Sequence, residues 1–340
     1  MTGNATFRFD RASVVSVCGV DAPRVVTSAE FDDRLADTYH RVGLRPGLLE
    51  GLAGIVERRW WPRDVSFSDA AAMAGAKALA EAGVDPSDVG LLIDTSVSRA
   101  HLEPSAAAAV HAALGLPTSC LNFDLANACL GFLNGIQLAA VMIDAGQIDH
   151  ALIVDGEGAR HTHEVTLDRL ARPDASREDV LAQFATLTLG SGAAAMVLGR
   201  SDLHPEGHRL VGGVTRAATE HHLLCVGDLE SMQTDTKGLL DAGMAISTAL
   251  WRDAAAEFDW SDMDRYIAHQ VSQAHTTAMC RTVGIDRSRV PVTFPTRGNM
   301  GPVTIPFTLA TQLDSLRAAD RVLLMGAGSG MNAACMEVVW

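Results

Sequence analysis

Short apolar runs bounded by turn residues recur along the chain, separated by alanine-rich stretches of helical spacing. This alternation points to an α/β protein whose sheets are covered on both faces. The runs are Gly90–Asp94, Leu121–Asp124, His150–Asp155, Ala193–Leu198, Arg265–His269 and Arg321–Met325, most of them short enough to be buried strands. Between them, Ser68–Ala82, Ser105–Leu114, Leu130–Ala145, Thr234–Phe258 and Gln273–Val283 carry helical periodicity. Their many small residues let helices approach sheets, or one another, closely. A polar stretch with Pro and Gly, Arg200–Gly213, separates two parts of similar alternation, giving expected units 1–204 and 205–340. The charged segment Arg172–Asp179 reads as an insertion or as the entry to a helix.

A chain of 340 residues, 48% of them hydrophobic, can bury an extensive core. Its 27 Lys and Arg against 41 Asp and Glu give a net charge of −14, which argues against a nucleic-acid partner. Met1–Asp10 lacks the apolar core of a secretory leader, and no apolar run reaches membrane-spanning length, so the expectation is a cytoplasmic protein without a membrane span. The cysteines Cys18, Cys120, Cys129, Cys225, Cys280 and Cys335 stand singly, with no Cys-x-x-Cys spacing. They read as reduced thiols, and neither a zinc site nor a disulfide framework is expected.

Cys129 follows the Leu121–Asp124 run and precedes an apolar helix starting near Leu130. A helix N-terminus stabilises a thiolate and offers amides to an oxyanion, although a lone cysteine is more commonly a small buried hydrophobe. The segment Asn127-Ala-Cys-Leu-Gly-Phe-Leu-Asn-Gly135 resembles the nucleophile segment of the thiolase superfamily, in its ketoacyl synthase III branch. His269-Gln270 and Gly298-Asn-Met-Gly-Pro302 follow in the order and approximate spacing of that branch's Cys-His-Asn triad. Taken singly, His269 reads equally as a hydrogen-bonded core histidine and Gly298-Asn299 as a turn. Together they form a coherent set: His269 accepts a proton while Cys129 attacks, and His269 with Asn299 donates hydrogen bonds to a carbonyl oxygen that becomes anionic.

Within the superfamily, Thr95-Ser-Val-Ser-Arg-Ala-His-Leu-Glu-Pro-Ser105 most resembles OleA-type enzymes, which join two long-chain acyl-CoA molecules head to head. The likeness extends over nearly the whole chain, including Asp21-Ala-Pro23, Val25–Ser28, Ala53-Gly-Ile55 with Arg58-Arg59, Val154-Asp-Gly-Glu157, Gly212–Arg216 and Glu337–Trp340. It implies a five-layered αβαβα thiolase fold of two similar halves, working as a homodimer. It also implies that Glu103 crosses into the partner's site as the base that removes an α-proton. From the residues alone, Glu103-Pro104 is a favourable helix start. Gly326-Ala-Gly-Ser-Gly330 is not a dinucleotide fingerprint, because only ten residues follow it. It resembles the family's C-terminal active-site turn, in which Ser329 matches an active-site serine.

The resemblance implies ping-pong chemistry, with an acyl-Cys129 intermediate, non-decarboxylative Claisen condensation of two acyl-CoA molecules and release of a 2-alkyl-3-oxoalkanoic acid for lipid, olefin or β-lactone biosynthesis. No cofactor or metal is expected, CoA being part of the substrate. The rival enzyme readings are decarboxylative 3-oxoacyl carrier-protein synthesis and simple acyl transfer. The rival of another class is a non-catalytic partner subunit in a heterodimer. Gly190-Ser-Gly192 reads as packing. His161, His163, His221 and His222 read as surface or loop histidines, and Arg58, Arg59, Trp60 and Trp61 divide between packing and a CoA nucleotide contact.

Overall fold

The computed structural model describes residues 6–340, so Met1–Ala5, half of the segment read above for a secretory leader, lie outside the described residues. Up to Arg200 the chain forms β1 (Thr6–Arg8), β2 (Ala12–Asp21), β3 (Arg24–Thr27), β4 (Glu57–Trp60), β5 (Leu91–Asp94), β6 (Leu121–Asp124), β7 (His150–Glu157) and β8 (Gly192–Arg200). Beyond it come β9 (His208–Ala217), β10 (Cys225–Gly227), β11 (Met232–Thr234), β12 (Arg265–Ala268), β13 (Arg321–Gly328) and β14 (Asn332–Val339).

The main sheet path runs β12-β13-β14-β9-β2-β8-β7-β5-β6 and contains one pattern twice. In the order β2-β8-β7-β5 the pairings are antiparallel, antiparallel and parallel. The order β9-β14-β13-β12 has the same three pairings. The sets touch through a brief β2–β9 pairing at Ser13–Arg209 and Val14–His208.

Side-chain alternation along the strands builds the layers. Leu91 and Ile93 of β5 and Ile153 of β7 face a central core that also holds Leu133 and Ile136 of helix Gly131–Asp144 and Ile305 and Leu309 of helix Thr304–Ala310. Leu324 and Met336 enter the same core from the second strand set. Leu92, Leu152 and Val154 point the other way, onto Ala74 and Ala78 of helix Phe67–Ala82. On the far side of the second set, Leu323 and Cys335 pack against Ile246 and Leu250 of helix Thr236–Ala254 and Met279 of helix Gln273–Val283. Full burial of each large aliphatic chain is worth roughly 1.5–3 kcal/mol. The resulting order is αβαβα.

Close approach of the outer helix depends on its small residues and on the glycines it faces. A Cβ on Gly156 of β7 would lie 2.1 Å from the Phe67 carbonyl oxygen. Helix Phe67–Ala82 starts with Ser66 and Asp69 bonding each other's backbone amides, a capping box. The interleaved serines of β2 and the polar character of 200–213 concealed two strands from sequence reading. β9 begins at His208, inside the expected polar separator, and its glycines let neighbouring strands close in: a Cβ on Gly213 would lie 2.2 Å from the Cys335 carbonyl oxygen.

Candidate active site

The chain leaves β6 at Asp124, turns through Leu125–Leu130 and enters helix Gly131–Asp144. Ala128 sits at φ +46°, a left-handed conformation that costs a non-glycine residue about 1–3 kcal/mol and is kept only where surroundings enforce it. The enforcement is local and long-range. Leu130 and Gly131 donate their amides back to the Asn127 and Ala128 carbonyls at 3.0 and 3.1 Å. Asn127 Nδ2 donates to Asn134 Oδ1 at 2.7 Å, and Asn332 Nδ2 from β14 donates to Asn127 Oδ1 at 3.2 Å. Gly328 backs onto the same turn, where a Cβ would lie 2.9 Å from the Asn127 carbonyl oxygen. The expected glycine-rich turn therefore does reach the Cys129 segment, with Ser329 half-buried immediately after Gly328.

Cys129 is half-buried, and its protonation differs from the sequence expectation. Desolvation, then the negative potential of Glu157, Cys225 and Asp155, push its thiol up to about 12. The backbone amide of Cys129 itself pulls the other way and does not offset them. In the free site the sulfur is a thiol that must lose its proton during attack.

His269 follows β12 and donates its backbone amide to the Met325 carbonyl at 2.8 Å. Burial, reinforced by His275, pulls its imidazole down to about 3, so the ring is neutral at physiological pH. The Gly301 carbonyl faces the ring and opposes this shift, and Nδ1 is buried without a hydrogen-bond partner. Gln270 locks the segment leading to Asn299, accepting from the Thr293 and Phe294 amides at 2.8 and 3.3 Å and donating to the Pro291 carbonyl at 2.9 Å. Asn299 is pinned through its backbone: its amide donates to Thr188 O and its carbonyl accepts from the Gly190 amide, both at 2.8 Å. Its Oδ1 accepts from the Gly301 amide at 3.0 Å, so His269 and Asn299 meet on one turn through Gly301. The approach needs glycine at Gly190, where a Cβ would lie 1.7 Å from the Arg297 carbonyl oxygen, which fits the packing reading of Gly190-Ser-Gly192.

The end of β13 links this turn to the nucleophile. His269, Met325, Gly326 and Ala327 line a small cavity of about 40 Å³ whose other walls include Met244, Trp251 and Met279. A Cβ on Gly326 would meet the Leu130 side chain at 2.7 Å, so residues flanking Cys129 and His269 share one strand end.

Sequence reasoning assigned no chemistry to the carboxyls beneath the site. Asp94, Asp155 and Glu157 are buried at the ends of β5 and β7. Glu157 accepts from the Val97 amide at 2.6 Å and from Ser98 Oγ at 2.5 Å, while Thr95 Oγ1 donates to Asp155 at 2.6 Å. Asp155 also lies in the negative potential of Glu157 and Asp94, which disfavours its charged form further. Desolvation is the main cause that raises Asp94 to about 6 and Glu157 to about 7, and it holds Asp155 well above the usual carboxylate range. Their alternation with Val154 and Gly156 could have flagged a polar inner stripe in an otherwise apolar strand.

These elevated values fix the sign of a pH effect. The folded state keeps protons that the unfolded chain releases above about pH 4, so the stability these groups contribute is full below that pH and is lost as pH rises through the folded values. The melting temperature of Asp155→Asn minus that of the native protein is expected to increase from pH 5 to pH 8. Paired thermal melts across this range check it, and a flat or decreasing difference would contradict the assignment.

Glu103 lies on the exposed loop after β5, next to Leu102, which is 99% exposed. The expected Glu103-Pro104 helix start is displaced: the helix spans Ala106–Leu114, and Asp124 of β6 accepts its first amides, Ala106 and Ala107, at 3.0 and 2.8 Å. Arg58, Trp60 and Trp61 are buried, so packing accounts for them. His163 corrects the surface-histidine expectation. It is fully buried, with Nδ1 accepting from Trp60 Nε1 at 3.0 Å. Among the described residues no group of three His, Cys, Asp or Glu forms a metal-ligand set, and no helix is long and apolar enough to cross a membrane.

Comparison with known proteins places this geometry. Residues 123–219 match the family model of 3-oxoacyl-[acyl-carrier-protein] synthase III, and residues 254–340 match that of its C-terminal part. The chain is 45% identical over 336 residues to an acyl-CoA:acyl-CoA alkyltransferase of Xanthomonas campestris, covering 98% of this chain and 99% of the relative. It belongs to the acyl-CoA:acyl-CoA alkyltransferase family. A Shewanella oneidensis alkyltransferase is 35% identical, covering 98% of this chain and all of its own length. The crystal structure of Xanthomonas campestris OleA with bound lauric acid and lauroyl-CoA superposes with a TM-score of 0.96 at 44% identity, covering 98% of this chain and 100% of that one. The chain thus has the thiolase fold. Cys129, His269, Asn299 and Ser329 lie within the two matched stretches, whereas Glu103 precedes both.

Proposed function

We propose that this protein condenses two acyl-CoA molecules head to head without decarboxylation, through an acyl group held on Cys129. The observation that carries the reading is a buried neutral imidazole, His269, and an amide side chain, Asn299, that both face Gly301, with the end of β13 against His269 on one side and against Leu130, next to Cys129, on the other. In the first half-reaction His269 takes the Cys129 proton, the sulfur attacks the acyl-CoA carbonyl, and the C–S bond to CoA breaks as His269 returns that proton to the leaving sulfur, releasing CoA thiol. In the second, a carboxylate removes the α-proton of another acyl-CoA, and the carbanion attacks the Cys129 thioester and expels the thiolate. His269 and Asn299 donate hydrogen bonds to the oxyanion in each half. Hydrolysis of the β-keto thioester consumes one water and releases the second CoA with a 2-alkyl-3-oxoalkanoic acid. Every bond change is supplied by protein side chains, substrate and water, so the reading requires neither cofactor nor metal.

Glu103 is the proposed base, acting across a homodimer. Its exposure within one chain fits that role, because a carboxylate becomes a strong enough base only when desolvated, and here a partner must supply the enclosure. A second copy fits the apolar surface beside the terminal strand β6, where Val97, Leu102, Leu121 and Val141 are exposed. Ser329 is proposed to border the thioester. The proposed halves, 1–204 and 205–340, divide nucleophile from imidazole and amide, which the repeated strand pairing supports, and the proposed location is the cytoplasm.

Incubation with lauroyl-CoA as sole substrate tests the reading. The expected result is two CoA released per β-keto acid formed. Release of lauric acid alone would indicate a thioesterase, and a requirement for a malonyl donor would indicate decarboxylative synthesis; either overturns the proposal.

A further inference from the structure

Glu157 is fully enclosed, carries no role in the reaction described above, and touches two of its moving parts. Its carboxylate accepts from the Val97 amide at 2.6 Å, from the Ser98 amide at 3.2 Å and from Ser98 Oγ at 2.5 Å. Ser98 Oγ accepts in turn from the Gly158 amide at 3.2 Å, and Ser96 Oγ from the Gly156 amide at 2.9 Å, so the loop after β5 is stitched to the end of β7. Val97, exposed, and Ser98, buried, begin the segment that leads to the exposed Glu103. On its other side Glu157 faces Gly301, where a Cβ would lie 3.9 Å from Oε1 and 3.7 Å from Cδ. Gly301 is the residue through which His269 and Asn299 meet.

We infer that Glu157 is a positioning residue that fixes the Glu103 loop relative to the oxyanion turn, and so sets the geometry of carbon–carbon bond formation. Coupling runs through the carboxylate because a buried acceptor holding three donors cannot be displaced without leaving those donors unpaired. Its three hydrogen bonds all go to the Glu103 loop, whereas none joins it to Gly301. Loss of the carboxylate therefore falls on condensation more than on acyl loading, which needs no α-proton base. Misplacing a reacting group by about 1 Å costs on the order of 10²-fold in rate.

This inference rests on the condensation reading, and the test separates the two. Acyl loading is followed by the intact-mass adduct on Cys129, and condensation by β-keto acid, for the native protein, Glu157→Ala, Glu157→Gln and Ser98→Ala. The expected result is normal loading with condensation about 10²-fold slower in Glu157→Ala, at least tenfold recovery in Glu157→Gln, and a smaller slowing of condensation alone in Ser98→Ala. Ser98→Ala keeps the test decisive should Glu157→Ala fail to fold. Equal losses in loading and condensation would assign Glu157 a merely structural role and overturn the inference, as would normal condensation in both alanine variants. If the native protein loads acyl groups but makes no β-keto acid, the condensation reading itself fails.

Discussion

Replacing Cys129 with alanine is expected to abolish both the acyl adduct and product formation, with turnover falling by more than about 10³-fold while the fold is retained. The alanine removes the only atom to which the proposed mechanism attaches the acyl group, and no neighbouring thiol can substitute without a new site. Cys225 is the cysteine whose potential reaches Cys129, but it lies on a separate strand pair and bonds Thr234 Oγ1 at 3.4 Å. Intact-mass measurement after exposure to lauroyl-CoA checks the result, with circular dichroism showing that the protein is folded. An adduct of unchanged stoichiometry on the variant would place the nucleophile elsewhere. Because Ala128 is already held in a left-handed conformation, the smaller side chain at 129 has no reason to disturb the turn.

Replacing Glu103 with alanine is expected to divide the reaction. Acyl transfer to Cys129 should proceed at the native rate, since His269 handles the thiol proton. Condensation should fall by about 10²–10⁴-fold, the usual worth of a positioned acid–base group. Glu103→Gln should behave like the alanine variant, because an amide fills the space without accepting a proton. Time courses of adduct and β-keto acid on one sample make the comparison internal. Native condensation by Glu103→Ala would remove this residue from the mechanism.

Much of the architecture was legible in the sequence because the buried strands are short apolar runs and the helices carry dense alanine patterning. The runs Gly90–Asp94 and Leu121–Asp124 and the helical spacing of Gln273–Val283 coincide with β5, β6 and a helix, to within one residue. β2 and β9 were not, because serines and glycines dilute their apolar signal while serving cross-strand packing. The Cys129, His269 and Asn299 segments were visible as motifs, yet their protonation was not. The thiol is raised by burial and then by carboxyls that come from a different strand, neither of which the linear motif displays. The alternation of Asp155 and Glu157 within β7 marks a polar stripe, but their partners Thr95, Val97 and Ser98 lie about sixty residues earlier and no local pattern connects them.

The doubled strand pairing gives β5 and β12 the same station in their respective sets, and each hands the chain to a working segment: one leads to Glu103, the other begins at His269. A duplicated ancestor would have offered two identical exits facing a common seam, free to diverge because each could be altered while its twin kept the scaffold intact. Asymmetric chemistry, in which one substrate is held and the other is deprotonated, is then the natural inheritance of a nearly symmetric body.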